Sequence, residues 1–273
     1  MKKDRIFTAN MTANEREYQY AKIRERADSI IQGRGRISCL ASGAESGRIK
    51  GGRRNVEASI LIGGDESTGD PSTTKILKKL QEVKLENWAN HEKIWFDHFD
   101  IVNNWKRIDN GRSMEAEVYG FEKTQTVRKV FHYDAIDSNT IPMDFINNRI
   151  SVHNHLFPET KYTLLGFTRS NAGFRYERFA FVLEQPYIQG KPMTEKEIEA
   201  FMKSIGFPAH SGTYYWNDYF IVGDMHEGNI LKFTDEKGND LVFVIDPMPK
   251  LNTSIALGGK SAYFPFSIVE DKL

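Results

Sequence analysis

The stretch GDMHEGNIL, residues 223–231, sets Asp224, His226 and Asn229 at intervals of two and three residues, and LVFVIDP, residues 241–247, ends an apolar run on Asp246. A carboxylate at the mouth of a buried strand is costly unless a cation waits there. A metal ion is the plainest such cation, because magnesium takes a few carboxylate or amide oxygens and completes its shell with water and phosphate. NILKF and LVFVID flank the charged turn TDEKGND and read as a hairpin, which carries Asn229 and Asp246 to the same end of a ladder. Asp224 then lies in the connecting loop, where it can orient a hydroxyl and accept its proton. One base and two metal-holding groups are parts that phosphoryl transfer demands, together with a cradle for phosphates. For Asp224 and Asn229 alone a polar turn is the simpler account, since Asp, Asn and Gly dominate turns. His226 has no Cys or second His at ligand spacing beside it, so a buried hydrogen-bonding role is expected rather than a zinc site.

The remaining parts must come from upstream elements. NGRSMEAEVYGF puts Gly111 and Ser113 before a strand, as a loop whose backbone amides can cover phosphates, and VRKVF places Lys129 on the next strand. FVLEQPYIQG ends a later strand on Glu184, Gln185 and Pro186. The strands themselves read as AEVYGF, TVRKVFHY, KYTLLGFT and RFAFVLEQ, rich in β-branched and aromatic residues. Between the second and third of these, PMDFINNRISVHNHLF suits a helix through Phe145, Ile146, Ile150, Val152 and Leu156. MTEKEIEAFMKSIGF predicts another, stopped by Gly206 and Pro208. Further upstream, residues 73–90 predict a helix with Ile76, Leu77, Leu80, Val83 and Trp88 on its apolar face. Thr12 and Glu15, at capping-box spacing, open an earlier one that runs to Ile31.

Taken together, GDMHEGNIL and VIDP resemble the catalytic loop and metal-binding Asp of the aminoglycoside and choline kinase branch of the protein-kinase-like superfamily. More narrowly, GRSMEAEVY, NHLFPETKYTLLGFT, LEQPYI and TEKEIEAFM are similar to the serine/threonine/tyrosine kinase-like domain of bacterial polyvalent proteins, found in phages and conjugative elements, over about residues 72–252. That resemblance implies an α+β, two-lobed kinase-like fold with N-terminal helices. It implies ATP and Mg2+ as cofactors, Asp224 as base, Lys129, Gly111 and Ser113 on the phosphates, Glu184 and Pro186 at the hinge, and Asn229 with Asp246 on the metal. The acceptor is expected to be a hydroxyl, on a protein side chain or a small molecule. The expected divisions are an N-terminal helix and basic loop region at 1–71, a bracing helix and linker at 72–104, an N-lobe at 105–188 and a minimal C-lobe at 189–273. Three departures stand out. Val222 takes the place where that branch has a His before Gly-Asp. The helix at 142–157 has no glutamate to set against Lys129, Asp144 being its sole acid. Only 27 residues follow Asp246.

Two other readings stay open, a pseudokinase or nucleotide-binding interaction module, and a mobile-element DNA accessory protein. Lys plus Arg and Asp plus Glu both number 37, so no global field points to nucleic acid or membrane. Residues 22–54 hold nine Lys or Arg against three acids; a solvated linker is favoured over a nucleic-acid contact because no aromatic residues interleave. One cysteine, Cys39, and no apolar stretch of membrane-spanning or signal-peptide length point to a cytoplasmic protein. His153, Asn154 and His155 are consecutive and diverge by about 100° on a helix, so they make no nuclease site. GAESGRIK, with its lysine misplaced and no Ser or Thr after it, makes no P-loop.

Overall fold

The computed structural model describes residue 58 and residues 71–109, 115–171, 174–234 and 240–252. The expected helix at 12–31, the basic run at 22–54, and Gly111 and Ser113 lie outside the described residues. The described chain divides into two compact units. One holds the described residues up to Ser151 together with Lys161–Tyr187, and the other holds Val152–Thr160 and the described residues from Ile188 on. Helices and antiparallel sheets mix in the α+β class that the sequence predicts. No described helix is long and apolar enough to cross a membrane.

The first unit is built on a five-stranded sheet of order β1-β2-β3-β5-β4, made of β1 (Lys106–Arg107), β2 (Ala116–Phe121), β3 (Thr126–Phe131), β4 (Thr163–Ser170) and β5 (Arg178–Pro186). β5 is an interior strand, between β3 and β4, and residues 179–183 are all buried because both faces of the sheet are covered. Alternation along the strand sends Phe179, Phe181 and Leu183 into a cluster with Phe131, Phe145, Ile146, Ile150, Tyr162 and Phe167, and sends Ala180 and Val182 into a smaller one with Ile101, Tyr119 and Val130. Phe145 and Phe181 are 4.7 Å apart and Phe167 and Phe181 5.1 Å apart between ring centroids, in tilted and edge-on contacts that suit aromatic rings.

α1 (Pro71–His91) and α2 (His98–Asn104) precede the sheet. α1 has the expected span but turns a different face inward: Ile76, Leu80 and Val83 are exposed, whereas Thr74, Leu77, Gln81, Leu85 and Ala89 are buried at helical spacing, with Trp88 packed partly against the same cluster. Polar Gln81 can be buried because its carbonyl accepts the Met143 N–H at 3.1 Å, at the start of α3 (Pro142–Asp144). Ion pairs from Glu86 to Arg169 and from Lys78 to Asp134, which also pairs with Arg178, fasten the helix further. After α3 the chain runs as a π-helical stretch, Phe145–Val152, instead of the single α-helix expected, and then as α4 (His153–Leu156).

The second unit has two sheets, β11-β10-β6 and β12-β9-β8-β7, drawn from β6 (Lys191–Pro192), β7 (Ala209–Ser211), β8 (Tyr214–Trp216), β9 (Phe220–Gly223), β10 (Ile230–Thr234), β11 (Asp240–Val244) and β12 (Met248–Leu251). α5 (Glu195–Ser204) packs on them. It opens with a reciprocal capping box between Thr194 and Glu197 and buries Ile198, Phe201 and Met202. Those side chains share a core with Leu156, Phe157, Phe220, Val222, Met225, Ile230, Val242 and Val244. Val222, the expected departure before Gly-Asp, is wholly buried there, so its apolar side chain serves the packing of the strand.

Candidate active site

Strand register assembles the polar residues of the second unit. β9 ends at Gly223 opposite Met248, and β10 begins at Ile230 opposite Val244. The chain therefore leaves one sheet after Gly223 and enters the other at Ile230, while the return crossing runs from Val244 to Met248. Residues 224–229 and 245–247 must lie side by side. Ile245 N–H donates to the Asn229 carbonyl at 2.8 Å, adding one link to the ladder, and half-buried Asp246 comes next. The end of β11 is held from a third direction, because the Thr160 hydroxyl donates to the Val244 carbonyl while buried His153, through Nε2, bonds the Thr160 carbonyl at 2.8 Å.

Asp224 has φ 60°, in the left-handed region, where a non-glycine residue persists only when its surroundings hold it. Asn229 supplies much of that hold: its Nδ2 donates to the Asp224 backbone carbonyl at 2.9 Å and to Oδ2 at 2.8 Å. With Nδ2 committed, Oδ1 of Asn229 is the atom left to meet a cation. On the other side His226 Nε2 is 3.4 Å from Asp224 Oδ1, and the Gly228 N–H donates to His226 Nδ1 at 3.0 Å. His226 does hydrogen-bond, but it is exposed instead of buried as expected, because it is Met225 that the crossing loop turns into the core. Gly223 admits the Tyr214 ring, whose nearest atom would be 2.4 Å from an added Cβ. Burial pushes the Tyr214 phenol up, and the charge of Asp224 pushes it further. Tyr214 was not legible as a site residue, since in the sequence it is one more aromatic residue in an apolar stretch.

In the first unit Lys129 is buried on β3, on the same side as Val127 and Phe131. Its Nζ lies 3.4 Å from the Tyr162 hydroxyl and sits over the rings of Phe131 and Tyr162 at 5.6 and 5.4 Å, contacts that favour a cation. The helical stretch offers Arg149, paired to Glu115 at 3.0 Å. Asp144 is exposed at the end of α3. Glu184 pairs across the ladder with Arg128 at 3.0 Å. Pro186 closes β5, and the chain passes into the second unit after Tyr187. The structure thus brings Asp224, Asn229 and Asp246 to one crossing in the second unit and places Lys129, Glu184 and Pro186 on adjacent strands of the first. Among the described residues no group of three or more His, Cys, Asp or Glu is gathered for a metal.

The first unit thus carries a buried lysine on its third strand, and the second a crossing that gathers Asp224, Asn229 and Asp246. Residues 78–253, well over half of the chain, match the family described as a serine/threonine/tyrosine kinase found in polyvalent proteins, and the protein belongs to that family. Neither the curated proteins nor the solved structures contain a match.

Proposed function

We propose that the protein transfers the γ-phosphoryl group of ATP to a hydroxyl, on a protein Ser, Thr or Tyr in keeping with its family. The acceptor oxygen forms a bond to the γ-phosphorus, the bond to the β-phosphate oxygen breaks, ADP departs, and the hydroxyl proton passes to Asp224. The observation that carries this reading is the Asp224 carboxylate, oriented by Asn229 at a crossing that also holds Asp246. Mg2+ fits the donors present: Asn229 Oδ1 and the Asp246 carboxylate are hard oxygen ligands, and two suffice for an ion that arrives with phosphate and water. When bound it would neutralise charge on the phosphates. Lys129 would bind the phosphates together with Gly111 and Ser113, with the backbone of Glu184 to Pro186 at the adenine. Residues 105–188 would be the nucleotide-binding lobe and 189–273 the lobe that carries the base.

The test is incubation with γ-labelled ATP and magnesium. Label should appear as a phosphoester on the protein itself or on an added acceptor. Nucleotide binding without any transfer would abandon this reading for a pseudokinase, a reading motivated by the lack of a glutamate on the 142–157 stretch to set against Lys129. Lys129→Met should weaken ATP binding roughly tenfold to a hundredfold, the worth of one hydrogen bond to a charged group, while adenosine binding, measured by calorimetry, stays as it was.

A further inference from the structure

We infer that His226 is a positioning residue for the base, locked by its own loop into the tautomer that carries the proton on Nε2. The inference rests on the phosphotransfer reading above for its consequence, though not for its geometry. Gly228 N–H donates to Nδ1, so that nitrogen has its lone pair occupied and carries no proton in the neutral ring. The proton of the neutral ring is then on Nε2, the nitrogen that lies 3.4 Å from Asp224 Oδ1. Asn229 Nδ2 donates to the other oxygen, Oδ2, at 2.8 Å. Oδ2 thus accepts an N–H from the same loop, and Oδ1 has the imidazole beside it at ion-pair distance, on the side that carries the ring proton. Rotation of the carboxylate would give up the Asn229 bond and carry Oδ1 away from the ring.

The spacing of the motif follows from this arrangement. A Cβ on Gly228 would be 2.8 Å from His226 Cε1 and 3.1 Å from Nδ1, so the close approach of ring to backbone needs a glycine there. The same hydrogen bond argues against a proton relay, because Nδ1 can take up a proton only by giving up the Gly228 amide. His226 is exposed and outside the hydrophobic core, so its removal leaves the packing of the unit in place.

Two measurements decide the matter. Long-range nitrogen-15 spectra of the imidazole in the full chain, at neutral pH, should show the Nε2–H tautomer in the majority; a majority of Nδ1–H overturns the inference whether or not the protein transfers phosphate. Given transfer by the wild type, His226→Ala should lower kcat on the order of 10²-fold, the usual consequence of a misplaced reacting group, with KM for ATP unchanged. His226→Gln, whose amide N–H can reach the place of Nε2–H, should recover part of the loss. If His226→Ala keeps kcat within twofold, or loses ATP affinity in parallel with kcat and is not helped by Gln, the positioning role is wrong. An inactive wild type with the expected tautomer would sink the phosphotransfer reading and leave the loop geometry standing.

Discussion

Asp224→Asn should lower kcat by about 10² to 10⁴-fold, the span seen when a general base is lost, while the dissociation constant for ATP stays within about twofold. Asparagine is the informative replacement for a backbone reason. Residue 224 has φ 60°, and Asn tolerates that conformation where Ala is strained by roughly 1–2 kcal/mol. An alanine variant therefore confounds loss of the base with distortion of the loop. Asn also retains one oxygen, which can still accept from Asn229 Nδ2, the donor now 2.8 Å from Oδ2. Its amide nitrogen then takes the place of Oδ1, beside the His226 ring. Steady-state kinetics with calorimetry of nucleotide binding separates the outcomes. A variant that keeps a tenth or more of wild-type turnover removes Asp224 from the base role, and one that loses nucleotide binding as fully as turnover shows a structural role instead.

How much of this was legible in the sequence depended on whether an element declares its own burial. AEVYGF appears residue for residue as β2, and the hairpin of β10 with β11 has the expected pairing, because β-branched and aromatic residues mark a strand whatever packs on it. The nearness of Asn229 to the start of residues 245–247 was readable for the same reason, from the hairpin alone, whereas the pairing of β9 with β12 was not read. The inward face of α1 was not. Its most apolar stripe, Ile76, Leu80 and Val83, faces out, and the buried stripe includes Thr74 and Gln81, whose fitness for the interior comes from a backbone N–H at Met143, distant in sequence. β7 and β8 escaped because three-residue strands leave too little alternation to detect. The π-helical path of Phe145–Val152 has no signature in residue type; what the sequence shows there is the apolar set Phe145, Ile146 and Ile150, and all three are buried.

Glu117 is the largest polar surprise, and it predicts the largest stability effect. A glutamate in the strand AEVYGF reads as solvent-facing, yet Glu117 is 2% exposed. The sheet curls so that Ser170, at the end of β4, donates to Glu117 Oε1 at 2.6 Å. Tyr119 donates to Oε2 at 2.8 Å, and His98 Nε2 approaches Oε1 to 3.0 Å. Burial alone would push the carboxyl up, but these hydrogen bonds from His98, Ser170 and Tyr119 outweigh it and hold the pKa at about 2 against an ordinary 4.5. A carboxyl with a depressed folded-state pKa stabilises the fold above its unfolded-state pKa and loses that contribution as pH falls through the folded value. The contribution is about 3 kcal/mol at neutral pH, by linkage. Glu117→Gln replaces an acceptor-only group with one that brings two N–H donors among donors that already need partners, and breaking such a buried set costs about 3–5 kcal/mol. Urea unfolding at pH 7 should show that loss. The gap between wild type and variant should narrow once the pH drops below the ordinary carboxylate range and close as it nears about 2, where the wild-type carboxyl is itself protonated. A gap that stays constant with pH would mean that shape, and not the charge on Glu117, is what the curled sheet depends on.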